Sequence, residues 1–290
     1  LMGGIAIFLS FMLSVFLRVT FNREIVIVIT GGIAMFFVGL FDDLRGMPAK
    51  IKFLMEFIIA VAVTYFGIVC KIFPYNWLNI FINIFWIVGL TNALNMLDNI
   101  DGLAGGITFI SLTGISLLAI QNGKVNEALL CIALAGSSLG FLRYNFKPAK
   151  IFMGDCGSLF LGYMLSTLVI IGIWQSEPHA IKTFVSPILL VSAVIFDTTL
   201  VTILRLKHGK MPWQGGRDHS SHRLVYILKN NERIAVLILY GIGLIGFLLG
   251  LITQKMNTLI SLIIAIIWCI VMIVFGIRLS KVECYQKLNK

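Results

Sequence analysis

The sequence predicts an all-α, polytopic transmembrane bundle of about ten spans, with its chemistry-bearing loops on the cytoplasmic side. Three observations carry that prediction. Hydrophobic residues make up 59% and charged residues 12% of the 290 positions, against roughly 45–50% and about 25% in soluble chains. The mean hydropathy is +0.97. The apolar residues also come in long runs, and a hydrocarbon core takes about 20 mostly apolar residues to cross. These features exclude a soluble enzyme. They exclude nucleic acid as a partner despite the net charge of +10, and the runs lack the apolar–polar alternation of a membrane β-barrel. The partner they imply is the lipid bilayer.

Taken in order, apolar runs broken by charge, Gly, Pro or Asn place spans near 3–17, 25–41, 53–70, 74–91 and 103–120, then near 128–143, 158–174, 183–204, 234–252 and 258–277. Each is expected to be helical, because lipid offers the backbone no hydrogen-bond partners. Alternate connections then face opposite sides. The set near 41–52, 92–102, 144–157 with the bordering Arg143, 205–233 and the tail from Arg278 carries 17 of the 23 Lys and Arg. Positive-inside bias puts that set and both ends of the chain in the cytoplasm.

Carboxylates take no part in that rule, yet all seven Asp fall on the same side: Asp42, Asp43, Asp98, Asp101, Asp155 and Asp218 in or beside the inner loops, and Asp197 about two turns inside the eighth span. Glu24, Glu127 and Glu177 lie outside. The sorting of one acid type points to a site at the inner membrane surface rather than to ordinary loop polarity. The five Cys (Cys70, Cys131, Cys156, Cys269, Cys284) are dispersed, without zinc or disulfide spacing. There is no basic region ahead of the first apolar run, so it does not read as a signal peptide. The start at Leu1 leads to the expectation that a native amino-terminal segment precedes this single integral-membrane domain of residues 1–290.

Four inner loops hold the chemistry. The first pairs Asp42 with Asp43 at a membrane boundary. Adjacent acids repel unless they share a cation or proton, which suits a metal site or a base of raised pKa, with a polar helix cap as the plainer alternative. The second sets amide or acid at every third position, Asn92, Asn95, Asp98 and Asp101, followed by Gly102 and Gly105-Gly106. Steps of three on a helix end form one slowly drifting ridge of oxygen donors, suited to hard cations and to sugar or base hydroxyls. The third runs Asn145 to Phe152-Met153-Gly154-Asp155, and a span starts right after it. Asp155 therefore stands at a helix N-terminus, which favours phosphate and the Mg²⁺ that accompanies it. Phe152 is placed to stack on a planar base or to anchor the interface. The fourth is the most basic, and its core reads Arg217-Asp218-His219-Ser220-Ser221-His222-Arg223. Its cations suit a pyrophosphate or sugar and its histidines a metal or a proton, whereas Lys229 and Arg233 read as contacts to anionic headgroups.

In this order the motifs resemble one family, the polyprenyl-phosphate N-acetylhexosamine-1-phosphate transferases, which include the GlcNAc-1-phosphate transferases and phospho-MurNAc-pentapeptide translocase. The resemblance is carried by Gly3-Gly4, Asp42-Asp43, Asn92-x-x-Asn95-x-x-Asp98-x-x-Asp101-Gly102-Leu103, Phe152-Met153-Gly154-Asp155-x-Gly157-Ser158 and the run His219 to Arg223. It implies transfer of a sugar 1-phosphate from a UDP-sugar to polyprenyl (undecaprenyl) phosphate with release of UMP, in the plasma membrane of a prokaryote. It implies Mg²⁺, with Mn²⁺ as a substitute, and leaves room for a homodimer. Carried over by motif, Asp42 and Asp43 resemble the catalytic pair, one of them the base, and Asp101 and Asp155 the metal site. Asn95, Asp98, Asn145 and Phe152 resemble the nucleotide cradle, Lys52 a phosphate-binding lysine, and His219, His222 and Arg223 the sugar and pyrophosphate clamp. Asp197 also matches a family Asp, with its role open.

Two departures bear on the sugar. Asn99 stands where many members have Gly, and His-Ser-Ser-His replaces His-x-His-His. The Arg-Asp-His-Ser-Ser-His-Arg-Leu form is closer to the GlcNAc-1-phosphate branch than to the MurNAc-pentapeptide branch. The chemical expectation is that Asp42, Asp101 and Asp155 meet around one divalent ion. A rival from another class is an ion-coupled transporter, whose coupling acids would sit near the bilayer midplane; only Asp197 and Glu56 lie within spans.

Overall fold

A computed structural model describes residues 2–175 and 181–282, and Leu1, Glu177 and Cys284 of the sequence reading lie outside them. Among the described residues the only regular elements are helices: α1 Gly3–Arg18, α2 Arg23–Arg45, α3 Ala49–Tyr65, α4 Asn76–Leu97, α5 Leu103–Gln121, α6 Val125–Asn145, α7 Gly154–Val169, α8 Ile181–Leu190, α9 Ser192–Lys207, α10 Ser220–Ile227, α11 Glu232–Lys255 and α12 Thr258–Ser280. A π-helical turn, Ile170–Trp174, extends α7.

All ten predicted spans are helical. Seven are long and apolar enough to cross a membrane, and the pair α8–α9 would make an eighth. That pair is one predicted span broken by a 72° bend. Pro187 inside α8 supplies no backbone donor, and Val191 leaves the helical region (φ −105°, ψ 13°), so the chain turns there before α9. Helices α1 and α3 are shorter, at 16 and 17 residues. Helix α3 also starts earlier than its apolar run, because its first turn is spent on Lys50 and Lys52.

The core of the bundle is α7, whose described residues from Cys156 to Val169 are all buried. Glycines let its neighbours approach it. A Cβ on Gly4 of α1 would stand 2.4 Å from the Gly157 nitrogen, one on Gly39 of α2 would stand 2.4 Å from the Asp155 carbonyl oxygen, and one on Gly162 would stand 2.7 Å from Thr91 Cα in α4. Backbone-to-backbone approach of this kind is how helices pack where lipid removes any hydrophobic drive between them. Phe160 of α7 then meets Phe8 and Phe11 of α1 edge-on, at 5.3 and 5.6 Å between ring centroids.

Packing of this sort sorts the loops to two ends. At one end Gly3 and Gly4 donate their N–H groups to the carbonyls of Phe152 and Met153, both at 3.0 Å. Asn145 Oδ1 accepts from the Gly102 N–H at 2.9 Å, and Ser221 Oγ donates to Asn99 Oδ1 at 2.5 Å. At the other end Asn122 Nδ2 donates to the Gly172 carbonyl and Gln175 Nε2 to the Val69 carbonyl. The four loops singled out by sequence thus share one end of the bundle.

Because the Gly39 contact is with backbone, Gly39→Ala is expected to cost about 1–3 kcal/mol, the usual range for overpacking. The thermal midpoint in detergent should fall, and an unchanged midpoint would contradict the contact.

Candidate active site

Asp42 and Asp43 occupy the last turn of α2 and are treated differently by their surroundings. Asp42 Oδ1 accepts from the Met47 N–H at 2.6 Å, and Oδ2 accepts from Lys52 Nζ at 2.8 Å. Asp43 points to α7: its two oxygens accept the N–H groups of Asp155 and Cys156 at 2.8 and 3.1 Å. A carboxylate from one helix thereby caps the N-terminus of another, where the peptide dipoles favour negative charge. Gly154 makes room for it, since this residue is in the left-handed region (φ +70°) and any Cβ would lie 2.6 Å from Asp43 Oδ2. The repulsion between adjacent acids is relieved by giving one an ammonium and the other a helix end.

Asp155 sits in the first turn of α7. Its Oδ2 accepts from Lys52 Nζ at 2.5 Å, and its Oδ1 accepts from Asn95 Nδ2 at 3.1 Å. The same amide donates to Ser158 Oγ at 2.8 Å. Lys52 therefore ties α2 to α7 from the first turn of α3, with side-chain exposures of 18% for Lys52, 11% for Asp42 and 32% for Asp155. Hydrogen bonds to charged groups contribute about 1.5–3 kcal/mol each, and enough of this site is open for an anion to reach the ammonium.

The second loop is not the helical ridge that its spacing suggests. Helix α4 ends at Leu97; Asp98 is its C-cap with φ −76° and ψ 56°, and Gly102, left-handed at φ +85°, opens α5. Asn92 and Asn95 are on the helix, while Asp98 and Asp101 are in the turn. The five non-helical residues 98–102 are enough to redirect the acids. Asp98 is half-buried, and burial together with the charges of Asp155, Asp101 and Asp43 pushes its carboxyl up to about 7. Asp101 Oδ2 accepts from the Ala149 N–H at 3.2 Å and lies 3.5 Å from Lys147 Nζ. Lys147 also pairs with Glu232 at 2.5 Å, and these acids raise its pKa, the Glu232 hydrogen bond most of all.

Of the sequence-predicted residues, Asp42, Asp43, Lys52, Asn95 and Asp155 form one bonded group, and Asp98 joins it through its charge. Asp42 and Asp155 converge on the Lys52 ammonium, while Asp101 bonds the Ala149 N–H and lies beside Lys147. Among the described residues no three His, Cys, Asp or Glu side chains form a group able to hold a metal by themselves. Asn145 is 3% exposed and spends both ends of its amide on the Gly102 N–H and the Ile151 carbonyl. Phe152 presents an exposed ring.

The fourth loop folds into α10. His219 and Arg223 are buried, at 5% and 1% exposure. His219 Nδ1 bonds Asp197 Oδ2 at 2.8 Å, while Arg223 donates to the carbonyls of Asp218 and Val282 at 2.9 and 2.6 Å. The residues read as a clamp are therefore partly bound into the fold, and His222 is the member left half-buried.

Sequence reasoning missed a cleft of about 720 Å³ between α3, α4, α9 and the segment before α10, lined by Phe53, Phe57, Phe81, Phe85, Gly89 and Trp213 among others. Its signal was present as Phe81, Phe85 and Gly89 at steps of four, one face of α4. Asn92 and Met96 line the same cleft. They stand one turn or less from Asn95, and Phe53 adjoins Lys52, so the apolar cleft leads to the charged group. Glu56, buried in α3, accepts from Asn92 Nδ2 and was read only as an acid inside a span.

Fold and site together define a multi-span membrane protein with a charged centre at one end of its bundle and an apolar cleft running up to it. The chain belongs to glycosyl transferase family 4, whose model matches residues 25–173. It is 35% identical to the probable undecaprenyl-phosphate N-acetylglucosaminyl 1-phosphate transferase of Bacillus subtilis (strain 168), over 93% of this chain and 78% of that protein. It is 30% identical to the decaprenyl-phosphate N-acetylglucosaminephosphotransferase of Mycobacterium tuberculosis (strain ATCC 25618 / H37Rv), over 85% and 70%. A phospho-N-acetylmuramoyl-pentapeptide-transferase of Streptococcus suis (strain 05ZYH33) matches at 36% identity over 58% of this chain and 46% of its own length.

Burial first, and then the neighbours His219 and Arg217, push His222 down to about 4 from 6.5. The unfolded chain binds a proton there that the folded chain refuses. This contribution to stability is complete above pH 6.5 and declines as pH falls from 6.5 towards 4. Histidine NMR is expected to give His222 a midpoint near 4, and His222→Gln should flatten that part of the stability curve. A midpoint near 6.5 would contradict the described packing.

Proposed function

We propose that this chain transfers a sugar 1-phosphate, GlcNAc-1-phosphate in the first instance, from a UDP-sugar to polyprenyl phosphate. The products are UMP and a polyprenyl-diphosphate-sugar, the first membrane step of a cell-envelope glycan. The observation that carries this reading is the junction of an apolar cleft with a cluster of carboxylates and a lysine. A molecule with a long hydrocarbon and a terminal phosphate fits that junction, its chain along Phe81, Phe85 and Gly89 and its phosphate at Lys52. The excess of Lys and Arg on the connections at this end supports a cytoplasmic orientation, where nucleotide sugars are supplied.

In the reaction an oxygen of the lipid phosphate attacks the sugar-bearing phosphorus in line and UMP leaves. Such transfers depend chiefly on positioning and charge compensation. Lys52 gives up its carboxylate partners to hold phosphate, and Asp42, released from that bond, takes the proton of the lipid phosphate. Asp43 keeps the N-terminus of α7 and with it Asp155 in place, and Asn95 fixes the orientation of the Asp155 carboxylate. Phe152 supplies an exposed ring for the uracil.

The donor set fits a divalent cation. Mg²⁺ is usually held by one or two carboxylates together with substrate phosphates rather than by a full protein cage, and Asp98 feels the negative charges of Asp155, Asp101 and Asp43. Asp98 and Asp155 would hold it together with the substrate phosphates, and when bound it would supply charge neutralisation on the diphosphate, with Mn²⁺ as a substitute. The position of the acids at one end of the bundle disfavours an ion-coupled transporter. The MurNAc-pentapeptide alternative differs only in donor, and the Ser220-Ser221 pair in place of a histidine run favours GlcNAc.

Purified protein given Mg²⁺, a short polyprenyl phosphate and a panel of UDP-sugars is expected to release UMP with UDP-GlcNAc. Asp155→Asn should lower turnover on the order of 10²–10³-fold, the scale of losing one charge-stabilising group, with folding retained; normal turnover in that variant would refute its role. Gly89 lies on the cleft with nothing within 4 Å of an added Cβ. Gly89→Phe should therefore fold, raise KM for polyprenyl phosphate and leave KM for the UDP-sugar unchanged. Equal effects on both would show that the lipid chain lies elsewhere.

A further inference from the structure

Asp197 is a carboxylate of 1% exposure inside α9 that the chemistry above does not use. Its Oδ1 accepts from the Ser220 N–H at 2.8 Å and from Ser220 Oγ at 2.5 Å, and its Oδ2 bonds His219 Nδ1 at 2.8 Å. A buried carboxylate can only accept, so the shared proton belongs on Nδ1, leaving His219 Nε2 towards Arg205 Nη2 at 3.4 Å. Arg205 in turn makes two bonds to Asp218, at 2.9 and 2.7 Å, and both residues are buried. One carboxylate in a membrane helix thus fixes the two residues that begin α10.

The consequence is felt one residue further on. Ser221 Oγ donates to Asn99 Oδ1 at 2.5 Å, and Asn99 lies between Ile100 and Asp98, two positions before Asp101. Asn99 Nδ2 meanwhile donates to the Met96 carbonyl at 2.8 Å, closing the turn that carries the acids. An eight-residue helix has little stability of its own. Its placement against the second loop depends on what holds its first turn.

We propose that Asp197 is a positioning residue. By pinning Ser220 and His219 it docks α10 through Ser221 onto Asn99, and so sets the turn that carries Asp98 and Asp101. The inference rests on the transferase reading for its kinetic readout only. Asp197→Asn keeps the shape of the side chain but puts a donor opposite one of the donors it now accepts from. Asp197→Asn and Ser221→Ala are each expected to lower kcat/KM for the UDP-sugar roughly tenfold, and the double variant also roughly tenfold, because both break one linkage. Losses that multiply to about a hundredfold would overturn the proposal, since independent sites add in free energy. Should Asp197→Asn fail to fold, Ser220→Ala removes a single bond to Asp197 and enters the same cycle with Ser221→Ala, with the same two outcomes. The ¹⁵N spectrum of the four histidines reads the geometry without turnover: His219 should carry its proton on Nδ1 in the unsubstituted protein and lose that preference in Asp197→Asn. A protein that releases no UMP from any UDP-sugar refutes the transferase reading alone, and the absence of the Nδ1 signature refutes the proposal alone.

Discussion

The ammonium of Lys52, held between Asp42 and Asp155, is the interaction on which the rest of this structure depends. It joins the first turn of α3 to the last turn of α2, 10 positions away, and to the first turn of α7, 103 positions away. Asp43 adds a second link between the same helices through the α7 amides. A cation alone would satisfy the carboxylates, and a helix end alone would satisfy one of them. Both together give two neighbouring acids different environments, so that one is free to exchange partners and the other is fixed. That division is what the proposed chemistry uses.

The surrounding bundle is arranged to keep this group in register. Gly4 of α1, Gly39 of α2 and Gly162 of α7 bring the backbones of α1, α2 and α4 against the central α7. On the far side the bend between α8 and α9 turns α9 towards the fourth loop, where Asp197 meets the start of α10. The cleft forms where the aromatic faces of α3 and α4 are left without a helix over them. Shape and charge meet at Lys52 and Phe53, adjacent residues that serve the two halves of one amphipathic substrate in the proposed reaction.

Much of this was legible in the sequence, for identifiable reasons. Lipid excludes any backbone that does not satisfy itself, so a long apolar run reads directly as a helix, and all ten predicted spans are helical. The Asp residues sorted to one side of the sequence reading, and Asp42, Asp43, Asp155, Asn95 and Lys52 meet at one end of the bundle. What spacing could not reveal was the partner of each group. Steps of three suggest one continuous ridge, but the helix stops at Leu97 and the acids leave it. Asn145 and Arg223 are polar residues in a promising loop, yet their hydrogen bonds go to backbone carbonyls and an amide that lie close only in the folded chain. The face of α4 that lines the cleft was legible but ambiguous: in a membrane protein a phenylalanine that faces lipid and one that lines a groove have the same sequence signal.

Whether Lys52 and the adjoining ends of α2, α4 and α7 form one site for a nucleotide diphosphate is decided by a structure of the protein determined with UDP-GlcNAc and Mg²⁺. Diphosphate density is expected beside the N-terminus of α7, with Lys52 turned from Asp155 to a phosphate oxygen and cation density at the neighbouring carboxylates. A nucleotide bound elsewhere, with Lys52 still bridging Asp42 and Asp155, would contradict it.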